Sequence, residues 1–329
     1  MTSETDVAAP TLPKAQMHLV RPTEPVIGRV VSTRLCMNGK SASFVRHVAI
    51  DVSGTPLAKN FLVGQSFGVV APGVDEKGKP HKVRLYSIAS PSYGEDGEGN
   101  VLSTTPKRVI DERTPQRPED DPDDHRLFLG VCSNYLCDLR EGDEVPVTGP
   151  AGKSFLLPAD PEQHDYLFVA TGTGIAPFRG MAMELLDGPG GPVSSQIHLV
   201  MGAPYRGDLL YDDLFRDYAE RHENFHYHTA ISREPRGGSS RGIYVDGLID
   251  EMMDGTFRSF LQSPRTLVYV CGLAGMQIGL FQVLARQGVG DGYLSIKDDD
   301  LAAMDPADWP RDKIKRYVRS TKRCMLEVY

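Results

Sequence analysis

The amino-acid sequence predicts a two-domain protein, an N-terminal antiparallel β-barrel followed by a C-terminal α/β domain on a doubly wound parallel sheet. Three observations carry that prediction. The chain has 329 residues, beyond the size at which one hydrophobic core stops growing and chains divide. Over residues 26–147, short β-branched runs are separated by Gly, Pro and Asn, the pattern of an antiparallel barrel. After Pro158 apolar strands alternate with helical stretches, as parallel strands joined by helical crossovers require. The expected division is a tail over residues 1–24, a barrel over 25–158 and an α/β domain over 159–329.

The tail carries Glu4, Asp6 and several prolines, and lacks the apolar core of a signal peptide or the Arg-rich, acid-poor look of a transit sequence. It reads as the disordered tail of a cytoplasmic protein. Barrel strands are expected in VIGRVVSTRL, SFVRHVAIDV, FGVVAP, KVRLYSIAS, RLFLGV and DEVPVTGP. Residues 92–124 hold Gly94, Gly97 and Gly99 at one end and Glu119, Asp120, Asp121, Asp123 and Asp124 at the other. They read as an exposed excursion, with residues 107–110 as a candidate strand within it. In the second domain the strands YLFVA, QIHLVM, FHYHTA, TLVYV and CMLEVY alternate with helices expected over 177–186, 209–221, 246–260, 276–286 and 314–323.

Composition narrows the function classes. Lys plus Arg total 36 against 44 Asp plus Glu, a net charge of -8, whereas a nucleic-acid binder carries a basic footprint. No apolar run approaches the roughly 20 residues of a membrane helix, so no membrane span is expected. Cys36, Cys132, Cys137, Cys271 and Cys324 make an odd, sparse set, which predicts a reducing compartment and no disulfide framework. Cys132 and Cys137 match the first step of a C-x4-C-x2-C cluster motif, but Arg140 stands where the third cysteine belongs. An iron-sulfur cluster is therefore not expected, and no histidine is spaced with these cysteines as a zinc ligand.

Ligands of doubly wound sheets bind beyond the carboxyl ends of the strands. The residues there are Thr171-Gly172-Thr173-Gly174, Gly202-Ala203-Pro204, Ser232-Arg233, Cys271-Gly272-Leu273 and the terminal Tyr329. The glycines after Thr171 can bring backbone N–H groups to a phosphate at a helix start; a tight turn without a ligand is the plainer reading. At the end of a barrel strand, Arg84-Leu85-Tyr86-Ser87 offers a cation, an aromatic ring and a hydroxyl, as an ordinary surface pair also would. Gly130 to Ser133 supplies amides and a hydroxyl at an expected helix start. Ser232, Arg233 and residues 241–244 suit a phosphate monoester beside an adenine, or form a solvated loop.

Taken in order, RLYS, GVCS, TGTGIAPFR, SRE, VCGLAGM and EVY closely resemble the plant-type ferredoxin-NADP(H) reductase family over about residues 25–329. The resemblance implies a barrel that binds FAD and a sheet that binds NADP(H). It implies that Arg84, Leu85, Tyr86, Ser87, Val131, Cys132 and Ser133 hold the flavin nucleotide, with Thr105 and Lys107 along its adenine half and Thr171 touching both cofactors. Ala203 and Pro204 would line the nicotinamide nucleotide's path, Ser232, Arg233, Arg241 and Tyr244 its 2′-phosphate, and Gly272 and Leu273 its other half. Ser87, Cys271 and Glu327 look like the active-site trio, with Tyr329 stacked on the flavin. Three positions depart from the family pattern: Gly242 replaces a basic residue, Asp111 a tyrosine beside the FAD adenine, and Gln277 a glutamate.

What the resemblance implies is a ferredoxin-NADP(+) reductase of diaphorase type, passing hydride between NADP(H) and FAD and single electrons to a separate ferredoxin or flavodoxin. A reductase component serving an oxygenase or desaturase through its own ferredoxin is one alternative, and a non-catalytic flavin or nucleotide sensor another. Residues 311–323 hold seven Lys or Arg against one Asp and read as a basic helix, either a docking face for the carrier or a solvated surface.

Overall fold

The computed structural model describes residues 9–39, 41, 43–112, 114, 119, 121, 123, 125–238, 240–253 and 255–329. The chain forms two compact units. One comprises Ala15–Met37 and Ser43–Gly152; the other comprises Lys153–Tyr329, the described residues up to Lys14 and a short piece around Ser41.

The first unit contains β1 (Val26–Leu35), β2 (Arg46–Asp51), β3 (Ser66–Val69), β4 (Arg84–Ser87), β5 (Val101–Thr104), β6 (Ile110–Glu112), β7 (Leu127–Leu129), α1 (Val131–Asp138) and β8 (Glu144–Ala151). Six strands form an antiparallel sheet in the order β4-β3-β8-β1-β2-β5. Alternate apolar residues, among them Val48, Ile50, Phe67, Val69, Val145 and Val147, turn inward and pack with Leu136 of α1. The outermost strands of that order meet. The Ala89 N–H donates to the Ser103 carbonyl at 2.8 Å and the Thr104 hydroxyl to the Ser87 carbonyl at 2.9 Å, so the sheet closes and its edges are removed.

β5 corrects the reading of residues 92–124 as an excursion, because Leu102, Ser103 and Thr104 are buried in the barrel wall. The polar Ser-Thr-Thr run and the positive φ of Gly94, Gly97 and Gly99 hid a strand with only two apolar residues. The candidate strand at 107–110 begins later, as β6, and Lys107 makes an isolated bridge to Val45. Of the acidic run, Asp120 and Asp124 lie outside the described residues, and Glu119, Asp121 and Asp123 are exposed. The expected disordered tail also differs. Residues 1–8 lie outside the described residues, but the His18 N–H donates to the Pro150 carbonyl at 2.8 Å and buried Val20 pairs with Gly149.

The second unit contains β9 (Asp165–Thr171), α2 (Ile175–Leu186), β10 (Ile197–Ala203), α3 (Asp212–Arg221), β11 (Phe225–Ile231), α4 (Val245–Glu251), α5 (Gly255–Gln262), β12 (Thr266–Gly272), α6 (Met276–Arg286), β13 (Leu294–Ile296), α7 (Asp299–Ala303), α8 (Arg311–Tyr317), β14 (Val318–Ser320) and β15 (Cys324–Val328). Five parallel strands run in the order β11-β10-β9-β12-β15. Both faces are covered, which is why β9 reads as an unbroken apolar run. Leu167 and Val169 pack with Ile249, Phe257 and Leu280 of α4, α5 and α6. Phe168 stacks on Phe178 of α2, centroids 5.0 Å apart. Phe155 belongs with this unit, its ring edge-on to Tyr269 at 5.4 Å.

Two helix expectations are corrected. The one over 246–260 is two helices, α4 and α5. The one over 314–323 stops at Tyr317, where β-branched Val318 turns extended and pairs with Ile296. Arg323, counted among the basic surface residues, is buried. Its guanidinium donates to the Ser263 and Thr266 carbonyls at 2.6 and 2.9 Å.

Candidate functional site

Counted by appearance, the parallel strands are ordered 3-2-1-4-5, so the winding reverses between β9 and β12 and a crevice opens beyond their carboxyl ends. Thr171 ends β9, and Gly172 to Gly174 form a 3-10 turn into α2. A Cβ on Gly174 would run into the Cys271 carbonyl and come within 2.7 Å of Gly272 Cα; only glycine lets the two turns approach this closely. The Leu273 N–H donates to Thr171 Oγ1 at 3.1 Å. The Tyr329 N–H donates to the Gly272 carbonyl at 3.0 Å, and the Ala274 N–H to the Tyr329 carbonyl at 2.7 Å. The Tyr329 hydroxyl shares a hydrogen bond with Thr173 Oγ1 at 2.6 Å. Three segments distant in sequence thus meet at the switch point. No side chain caps α2 and no acid lies in its first turn, so its positive end suits an anion.

Cys271 and Glu327 are register partners on β12 and β15. Burial, and then the neighbouring Glu327 carboxylate, push the Cys271 thiol well up, so this side chain is an uncharged S–H donor at neutral pH. The Tyr329 hydroxyl is pushed up to about 12, first by desolvation. The ring nevertheless remains 57% exposed. The two facts agree: the hydroxyl is tucked against Thr173 and the rest of the ring is uncovered.

A second cluster lies at the ends of β10 and β11. The Ser232 N–H donates to the Ala203 carbonyl at 3.0 Å, the Arg233 N–H to the Pro204 carbonyl at 2.9 Å and the Ile243 N–H to the Ile231 carbonyl at 2.8 Å. These bonds bring together the expected coenzyme residues, with Arg233 and Arg241 exposed and Tyr244 71% exposed at the start of α4. The departure at Gly242 has a steric cause. A Cβ there would overlap the Ile231 carbonyl and lie 2.9 Å from the Glu234 carbonyl, so this loop path excludes a basic side chain at 242. Sequence reading missed Arg206, whose guanidinium pairs with Glu234 at 3.2 Å beside this cluster; a lone arginine three residues past a strand gave no signal.

The barrel unit holds its own cluster. Tyr86 of β4 and Cys132 of α1 are hydrogen-bonded, and burial holds both above their ordinary pKa values while the Arg84 charge opposes it. Leu85 and Val131 are 61% and 50% exposed. Helix α1 has no side-chain cap and no acid in its first turn, and Ser133 Oγ donates to the Gly130 carbonyl at 3.2 Å. Thr105 is buried and Lys107 exposed. Ser87 pairs with Ser66 across the β3–β4 ladder. An open helix start beside an arginine and a half-buried tyrosine fits the phosphates and flat ring of a flavin nucleotide.

Comparison with known proteins first gives the class. Residues 168–280 match the family described as oxidoreductase NAD-binding domain, a class of domain that pairs redox chemistry with a nicotinamide coenzyme. The relatives go further. A ferredoxin--NADP reductase of Picosynechococcus sp. is 37% identical over 100% of this chain and 76% of its own length. The embryo chloroplastic isozyme from Oryza sativa subsp. japonica is 36% identical over 82% of this chain and 70% of its own. The solved ferredoxin-NADP+ reductase from Plasmodium falciparum with 2′P-AMP shares the fold, with a TM-score of 0.69, 19% identity and coverage of 96% and 100% of the two chains. This chain belongs to the ferredoxin–NADP reductase family. No helix among the described residues is long and apolar enough to cross a membrane.

Proposed function

We propose that this protein exchanges electrons between NADP(H) and a one-electron carrier protein, ferredoxin or flavodoxin, through FAD. The observation that carries the reading is the switch-point crevice, where the Thr171 turn, the Cys271 turn and Tyr329 are tied together by direct hydrogen bonds. FAD, when bound, supplies the conversion between a two-electron hydride and single electrons. The protein's own groups position and shield. Arg84 would neutralise, and the amides at Val131, Cys132 and Ser133 would hydrogen-bond, the flavin nucleotide's phosphates, Tyr86 and Leu85 would flank its ring, and Thr105 and Lys107 would serve its adenine half. Ser87, the uncharged Cys271 S–H and Glu327 attend the reacting centre. Tyr329, whose ring is 57% exposed, would shield bound flavin from water.

For the coenzyme, Thr171, Ala203, Pro204, Gly272 and Leu273 line its path, and Ser232, Arg233, Arg241 and Tyr244 hold its 2′-phosphate. The residues proposed for the flavin nucleotide's phosphates, ring and adenine fall within 25–158, and those proposed for the coenzyme within 159–329. The net charge of -8 supports a protein carrier over a nucleic acid, and five buried, reduced cysteines support the cytoplasm as the compartment. Steady-state turnover with NADPH against ferredoxin and flavodoxin tests the assignment. Reduction of either carrier is expected; turnover with small acceptors only would overturn it.

A further inference from the structure

Strands β6 and β7 form a two-stranded sheet of their own, and a lone hairpin is marginal in water without a surface to cover it. Four of its six side chains are nonetheless apolar and uncovered: Ile110 is 56%, Leu127 66%, Phe128 51% and Leu129 54% exposed. Register divides them between two faces. Ile110 pairs with Leu129 and Glu112 with Leu127 on one face, and Asp111 with Phe128 on the other. The ladder runs one step further, the Gly130 N–H donating to the Val109 carbonyl at 3.0 Å. Val109 and Gly130 therefore continue the Phe128 face. On that side Gly130 lies close under the start of α1: a Cβ there would come within 2.6 Å of Ser133 Oγ and 2.9 Å of Val109 Cβ.

The Phe128 face is thus one continuous surface with the uncapped start of α1, the phosphate cradle of the barrel unit. We propose that Phe128 is the stacking platform for the adenine of FAD. It takes the part of the aromatic residue that is absent at Asp111, directly across the ladder. A flat base lying on Phe128 would cover the ring while its diphosphate reaches the amides of Val131 to Ser133. This rests on the proposed function, and in particular on FAD as the bound flavin.

The test is FAD and FMN binding to the apoprotein, followed by quenching of flavin fluorescence. Wild type is expected to prefer FAD. Base-aromatic stacking removed by alanine weakens binding on the order of tenfold to a hundredfold, so Phe128→Ala should lose that much FAD affinity with FMN affinity unchanged. Phe128→Trp should retain FAD. Because Phe128 is half exposed, Phe128→Ala should keep the wild-type thermal midpoint of the apoprotein. Equal losses for FAD and FMN, or unchanged FAD affinity in Phe128→Ala, would overturn the assignment while leaving the flavoprotein reading intact. Failure of the wild type to bind FAD would instead overturn the reading on which the inference rests.

Discussion

Arg233 and Gly242 share a loop, and on the proposed reading they would act on coenzyme choice in opposite ways. Arg233 is held by a backbone bond to Pro204 with its side chain exposed, and the proposed function has it meet the 2′-phosphate that NADPH has and NADH lacks. A charge-assisted contact of this kind contributes about 1.5–3 kcal/mol. Arg233→Ala should therefore raise the KM for NADPH by roughly tenfold to a hundredfold and leave that for NADH nearly unchanged; equal losses would remove Arg233 from the 2′-phosphate site. Gly242 acts through its missing Cβ, since any side chain would strike the Ile231 carbonyl. Restoring a basic residue by Gly242→Lys is expected to lower the thermal midpoint without improving the KM for NADPH. An improved KM at unchanged stability would show that the loop accommodates the side chain.

At the scale of elements, the edge of the parallel sheet carries an acid-sensitive seam. His198 on β10 pairs in register with His226 on β11, and its Nδ1 lies 3.1 Å from His228 Nε2, under Phe257 and Phe260 of α5. An N–H···N bond needs at least one of the two rings neutral, to accept. Burial first, and then the neighbouring imidazoles, lower His198 to about 3 and His228 to about 4, and burial lowers His226. These groups bind protons in the unfolded chain before they do in the folded one, so their contribution to stability is complete above about pH 6.5 and is lost as pH falls toward about 3. Urea midpoints measured from pH 7 to pH 4 should decline, and His198→Gln with His228→Gln should flatten that decline; an unchanged slope would place the acid sensitivity elsewhere. The basic segment is the other element to test. Arg323 is buried, and Arg319 donates to the Lys315 and Arg316 carbonyls, closing the end of α8. Lys315 and Lys322 are exposed. If this face meets an acidic carrier, Lys315→Glu with Lys322→Glu should slow association and reduce its dependence on salt, with NADPH oxidation by a small neutral acceptor intact. An unchanged salt dependence would move docking to another face.

At the scale of the molecule, the two architectures were readable because each has its own grammar. Short β-branched runs broken by Gly, Pro and Asn marked the barrel, and apolar runs such as YLFVA and TLVYV alternating with helical stretches marked the parallel sheet. β5 escaped because its wall-forming residues are Leu102, Ser103 and Thr104, whose burial depends on barrel closure and not on apolarity. The helix expected over 314–323 failed where Val318 found a partner strand in β13, a contact between distant parts of the chain that no local pattern announces. The candidate site residues stood out as glycines, hydroxyls and arginines at strand ends, and their proposed roles came from the order of the motifs, through the family resemblance, and not from position alone. What was not legible is how backbone bonds converge: Tyr329 on Gly272, Ser232 on Ala203, and Gly242 against Ile231. The central claim is that this architecture couples NADPH to a one-electron carrier through bound FAD. Its most direct test is an anaerobic visible spectrum of the purified protein, recorded before and after stoichiometric NADPH and again after oxidised ferredoxin is added. The account predicts a flavin absorption band that NADPH bleaches and ferredoxin restores; a protein without that band, or one whose band NADPH leaves unchanged, would contradict it.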